Sequence, residues 1–208
     1  MPGMAGHPRR YGRRIHLKHY LQNYADVLHS VSRNLDPLQF SKMIDILAKA
    51  YREDRQVFIA GNGGSAGTAN HFACDFSKNA VQEAGKRRFR LLSLSDNVEK
   101  ITALANDIAY EEVFAFQLEN LWREGDVLIV VSASGNSPNI VRACEFARAR
   151  QAPIIGLVGF DGGKVRDLAD ALMLVPLCSY EQVEDVHLII LHMLVCYFKD
   201  HPELLETA

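Results

Sequence analysis

Residues 132–137 read Ser-Ala-Ser-Gly-Asn-Ser, which brings three hydroxyls, Ser132, Ser134 and Ser137, into one short loop. A helix N-cap uses one such side chain, so three invite a second explanation. Residues 61–65 read Gly-Asn-Gly-Gly-Ser, where Gly63 and Gly64 let the backbone turn sharply and approach a ligand, and Asn62 and Ser65 add polar groups. A third loop reads Ser93-Leu94-Ser95-Asp96-Asn97. Each loop follows an apolar run and precedes a helical pattern. The N–H groups at a helix start, with the helix dipole behind them, favour an anion. Three such loops on one rim are expected to form a phosphate site.

Two further segments carry groups able to move protons. His71 and Asp75 are four residues apart, which on a helix turns them only about 40° from each other. Their helix starts at the 61–65 loop, so they are expected about 10 Å beyond it. Glu184, His187 and His192 share the final helical segment and can face one side of it. Plainer readings are open for both groups. His71 and Asp75 suit a surface pair, and a helix as apolar as Val183, Val186, Leu188, Ile190, Leu191 and Leu194 can bury satisfied histidines.

The elements that position these groups follow from periodicity. Residues 15–34 and a segment starting near Pro37 read as helices. From Gln56 the pattern becomes five apolar runs, QVFIAG, FRLLSL, DVLIVVS, APIIGLVG and ALMLVPL. Helical segments are expected over 66–78, 97–122 (broken near Asp107), 139–150, 163–170 and 181–200. Strands alternating with helices imply βαβ units and a parallel sheet covered on both faces. The expected fold is an α/β three-layer sandwich with a two-helix N-terminal extension. Residues 15–208 form its one domain, and residues 1–14 a flexible tail that holds Arg9, Arg10, Arg13 and Arg14.

Other ligand classes fit less well. Gly61, Gly63 and Ala66 match the looser dinucleotide fingerprint, but no acid stands about 20 residues on at a strand end. No GxxxxGK[ST] is present. Gly63-Gly64-Ser65-Ala66-Gly67 spells a hydrolase elbow, yet no earlier strand exists to supply its oxyanion loop. A net charge of -2 gives no electrostatic reason to expect nucleic acid. No apolar run is long enough to span a membrane. Cys74, Cys144, Cys178 and Cys196 lack metal spacing and, with no export signal, read as reduced thiols of a cytoplasmic protein.

GNGGSA followed by SASGNSPN and GLVGFDGGK resembles the sugar isomerase (SIS) domain family over nearly the whole chain, and within it the phosphoheptose isomerases. The resemblance implies a flavodoxin-like sheet, a homotetramer and sites shared between subunits. It implies aldose–ketose isomerisation between sedoheptulose 7-phosphate and a heptose 7-phosphate. Ser65, Ser132, Ser134 and Ser137 would hold the phosphate beside Asn62, with Asn106 and Asp107 lining the pocket. Asp75 would be the base and His192 the acid. Some members bind zinc through four positions that here are His71, Asp75, Glu184 and His192. Two of these depart from the family, which has Glu at the Asp75 position and Gln at the Glu184 position. Two carboxylates raise each other's pKa unless a cation joins them, so the pair slightly favours a metal. The family also includes a replication initiator-associating protein, so a non-catalytic phosphosugar-binding or scaffold role is the alternative.

Overall fold

The five Val/Ile/Leu runs form one parallel sheet in the structure, a computed structural model that describes residues 9–206. The strands are β1 (Gln56–Gly61), β2 (Arg90–Ser93), β3 (Val127–Ser132), β4 (Ile154–Gly159) and β5 (Ala171–Val175), in the order β2-β1-β3-β4-β5. This is the flavodoxin-like order expected. β2 is shorter than its apolar run because it pairs only with β1, from Gln56↔Arg90 to Ile59↔Ser93.

Among the described residues, eight α-helices surround the sheet. They are α1 (Arg9–Arg33), α2 (Pro37–Arg52), α3 (Gly64–Asn79), α4 (Val98–Asp107), α5 (Ala115–Leu121), α6 (Pro138–Arg148), α7 (Val165–Leu168) and α8 (Tyr180–Asp200). α1 begins before the Ile15 start that periodicity predicted, and takes in part of the expected 1–14 tail; residues 1–8 lie outside the described range. The break near Asp107 is real: α4 ends there and a 3-10 turn, Tyr110–Glu112, precedes α5. The helix expected over 163–170 shrinks to the single turn of α7.

Alternation along the strands divides the core. Val57, Ile59, Val127, Ile129, Val131, Ile155 and Leu157 face α2, α3 and α8. Phe58, Ala60, Leu128, Val130, Ile154 and Val158 face α5 and α6. Both faces are therefore covered, as near-continuous apolar strands require. No helix among the described residues is long and apolar enough to cross a membrane.

The topology also places the loops. β1 sends the chain to β2 on one side, while β3 pairs with β1 on the other, up to Gly61↔Val131. The loops after β1 and β3 thus flank the point where the strand order reverses, the usual ligand crevice of such sheets.

His187, on α8, is fully buried, and neither ring nitrogen has a hydrogen-bond partner among the described residues. Burial pushes its pKa down to about 4. A histidine held below its unfolded value favours the folded chain most when neutral. Its contribution is complete above pH ~6.5 and is lost as pH falls toward 4, a change of about 3 kcal/mol. Urea unfolding of His187→Leu at pH 7.5 and 4.5 should show a pH dependence smaller by most of that amount. An unchanged dependence would assign the acid sensitivity elsewhere.

Candidate active site

The loop after β1 and the loop after β3 meet in one small pocket of about 150 Å³. Asn62, Ser65, Ser132, Ser134 and Ser137 line it together with Tyr180 and Glu184 from the start of α8. Neither loop spends its serines on capping. Ser137 sits at the N-cap of α6 without a side-chain cap bond, and Gly63 caps α3 with φ +54, open to a glycine. Ser132 Oγ accepts the Gly135 N–H at 3.2 Å and Ser134 Oγ accepts the Asn136 N–H at 3.2 Å. Both hydroxyls keep their protons to donate.

The third serine loop does not join them. Ser95 Oγ donates to the Gly61 carbonyl at 2.8 Å, and Ser93 Oγ donates to Asn70 Oδ1 at 2.6 Å. Ser95 thus braces the first loop and Ser93 holds α3, and neither of these buried hydroxyls lines the pocket. The expected convergence of three loops becomes two loops plus the start of α8.

Asn62 is held by partners that the spacing did not reveal. Its amide exchanges two hydrogen bonds with the fully buried Asn139 of α6, at 2.8 and 2.9 Å, and Asn62 Oδ1 also accepts the Tyr110 hydroxyl at 2.9 Å. This lock ties the two loops together. Asn139 lies in the SGNSPN stretch and was open to notice, whereas nothing in the sequence marks Tyr110.

Further along α3, three donor atoms face one point. His71 Nε2 lies 3.1 Å from Asp75 Oδ2 and 3.1 Å from His192 Nε2, and His192 Nε2 lies 3.5 Å from Asp75 Oδ2. His71 is exposed, and Asp75 and His192 are half-buried. Donors bound tetrahedrally to zinc at about 2.1 Å stand about 3.4 Å apart, so the spacing and the mixture of imidazole and carboxylate fit such an ion. Asp75 Oδ1 points away from the imidazoles, toward the Asn79 amide at 3.5 Å.

Three expected site residues lie elsewhere. Glu184 does not reach the His71–Asp75–His192 cluster. It stands eight residues before His192, about 12 Å back along α8, and its carboxylate is not among the donor atoms gathered there. Its carboxylate instead abuts Gly64, where an added Cβ would overlap it. Burial raises the Glu184 pKa, helped by Glu181 and Asp185, while the Ser65 backbone N–H lowers it. Asn106 and Asp107 are exposed at the end of α4, where the Asn106 amide donates to Asp107 Oδ1 at 2.8 Å, and they do not line the pocket within one chain.

The Gly64–Glu184 contact and the His71–His192 contact show that α3 and α8 run side by side in the same direction. Between them they join the serine pocket to the His–Asp cluster.

The SIS domain family model matches residues 19–159. The chain belongs to the SIS domain family. Its SIS relatives include a phosphoheptose isomerase from a Nitratiruptor species, 39% identical over 72% of this chain and 79% of that protein. One from Helicobacter pylori is 34% identical over 83% of this chain and 90% of its own length. The solved phosphoheptose isomerase of Neisseria gonorrhoeae superposes with a TM-score of 0.80 at 26% identity, covering 90% of this chain and 98% of that one. The fold is thus common to the two structures over most of both chains.

Proposed function

We infer that the chain is a phosphosugar isomerase that interconverts sedoheptulose 7-phosphate and a heptose 7-phosphate. The observation that carries this is α3, which starts at the serine pocket with Ser65 and presents His71 and Asp75 about two to three turns later. A phosphate held by Ser65, Ser132, Ser134 and Ser137, and by the backbone of Gly63 and Gly64, would leave the carbonyl end of an extended sugar near the cluster. The names of the relatives support the heptose; the geometry supports the class.

Isomerisation needs a base at the carbon beside the carbonyl and an acid at the neighbouring oxygen. Asp75 suits the first role and His192 the second. Asp75 takes a proton from C1 of the ketose, exchanges it with solvent from its half-buried position, and delivers one to C2, while His192 carries a proton between the two oxygens. His71, Asp75 and His192 would hold a zinc ion, which when bound polarises the carbonyl as a Lewis acid. Asp75 would then meet the metal with Oδ2 and keep Oδ1 for a proton. A purely binding protein has no use for such a cluster.

A homotetramer working in the cytoplasm completes the reading. Exposed Leu17, Tyr20 and Leu21 on α1 and Met193 and Tyr197 on α8 are apolar surface of the kind that copies of a chain cover. Asn106 and Asp107 would then serve a neighbouring subunit's pocket. Light scattering should report four copies.

The direct test is incubation with sedoheptulose 7-phosphate, with and without zinc, followed by NMR of the anomeric protons. New aldose signals are expected. Saturable line broadening without conversion would leave a phosphosugar-binding module.

A further inference from the structure

Among the described residues, the serine pocket has no lysine, arginine or histidine in its lining, while it does contain a carboxylate. Glu184 reaches in from the first turns of α8 and lies against Gly64, the first residue of α3. That is where the free N–H groups of α3 point, and a helix start attracts a carboxylate as it does a phosphate. The two anions therefore compete for one place. We propose that Glu184 is an internal competitor for the phosphate cradle: its carboxylate covers the α3 N-terminus in the empty chain and must swing aside before a phosphate seats, so this one residue sets the affinity of the site. The proposal rests on the phosphate reading given above.

The geometry makes the substitution that removes the charge informative. Glu184→Gln keeps the shape that packs against Gly64 and loses only the negative charge. Its raised pKa is in keeping with a carboxylate drawn partly out of water into this position. The side chain is not part of the sheet core, so neither Gln nor Ala removes apolar packing.

The test uses inorganic sulfate, which stays doubly charged at neutral pH, with the full chain, Glu184→Gln and Glu184→Ala. Backbone amide shifts of Gly64 and Ser65 report binding in the cradle itself. Both variants are expected to bind sulfate at least fivefold more tightly than the native chain at pH 7.5. Equal or weaker binding by both would overturn the proposal while leaving the cradle in place. Tightening by Glu184→Gln alone would also overturn it, since the gain would then come from the new amide donor. If sulfate moves neither amide in any of the three chains, the phosphate reading fails and the proposal fails with it.

Discussion

Asp75→Asn is expected to lower kcat for isomerisation by about 10²–10⁴, the usual worth of a positioned acid or base. The amide keeps the size and the hydrogen-bonding reach of the carboxylate, so the His71 and Asn79 neighbours are retained. What disappears is the negative charge, and with it the ability to take a proton and to help hold a cation. The phosphate pocket, two to three turns back along α3, is untouched, so KM should change little. Asp75→Glu restores the carboxylate on a longer stem and is expected to lose far less than Asp75→Asn. Steady-state kinetics of both variants check this. An Asp75→Asn enzyme with native kcat would remove Asp75 from the chemistry.

The second large effect is expected at Gly135→Ala. Gly135 holds φ +60 in the serine loop, and an added Cβ would overlap the Gly162 carbonyl of the loop after β4. Those two loops are pinned, with the Val165 N–H donating to the Gly135 carbonyl at 3.1 Å and the Lys164 N–H to Asn136 Oδ1 at 3.1 Å. The backbone cannot give way without moving Ser134 and Ser137. Conformational strain and overpacking together should cost about 3 kcal/mol, which lowers Tm by roughly 6–12 °C in a chain of this size. Phosphate binding should fall with it. Gly85→Ala is the comparison: φ is +83 but nothing lies near, so only the strain of about 1–2 kcal/mol is added. Thermal melts that rank the two variants equally would show that the loop tolerates the extra carbon.

Much of the frame was legible because the strands are continuous apolar runs, which only a sheet buried on both faces explains. β2 was overread at its ends, since its pairing with β1 runs only from Arg90 to Ser93 while β1 continues to Gly61 beside β3. α7 was overread because Gly163 and Lys164 belong to the loop that clamps the serines. His71 and Asp75 were readable from helical spacing, but their meeting with His192 depends on how α3 packs on α8. The same packing carried Glu184 to Gly64, a contact between residues far apart in sequence that no spacing rule contains. Ser93 and Ser95 show the limit of counting hydroxyls. A serine that braces a loop and one that faces a ligand look identical in a sequence, and only burial and partners separate them.

The central claim is that Asp75 and its neighbours move a carbon-bound proton of a sugar phosphate. The most direct measurement is incubation with sedoheptulose 7-phosphate in D₂O, followed by mass spectrometry of the recovered sugar phosphates. The account predicts one deuterium gained at the carbons that exchange the proton, with none in Asp75→Asn. A heptose phosphate formed without deuterium, or equal labelling by Asp75→Asn, would contradict it.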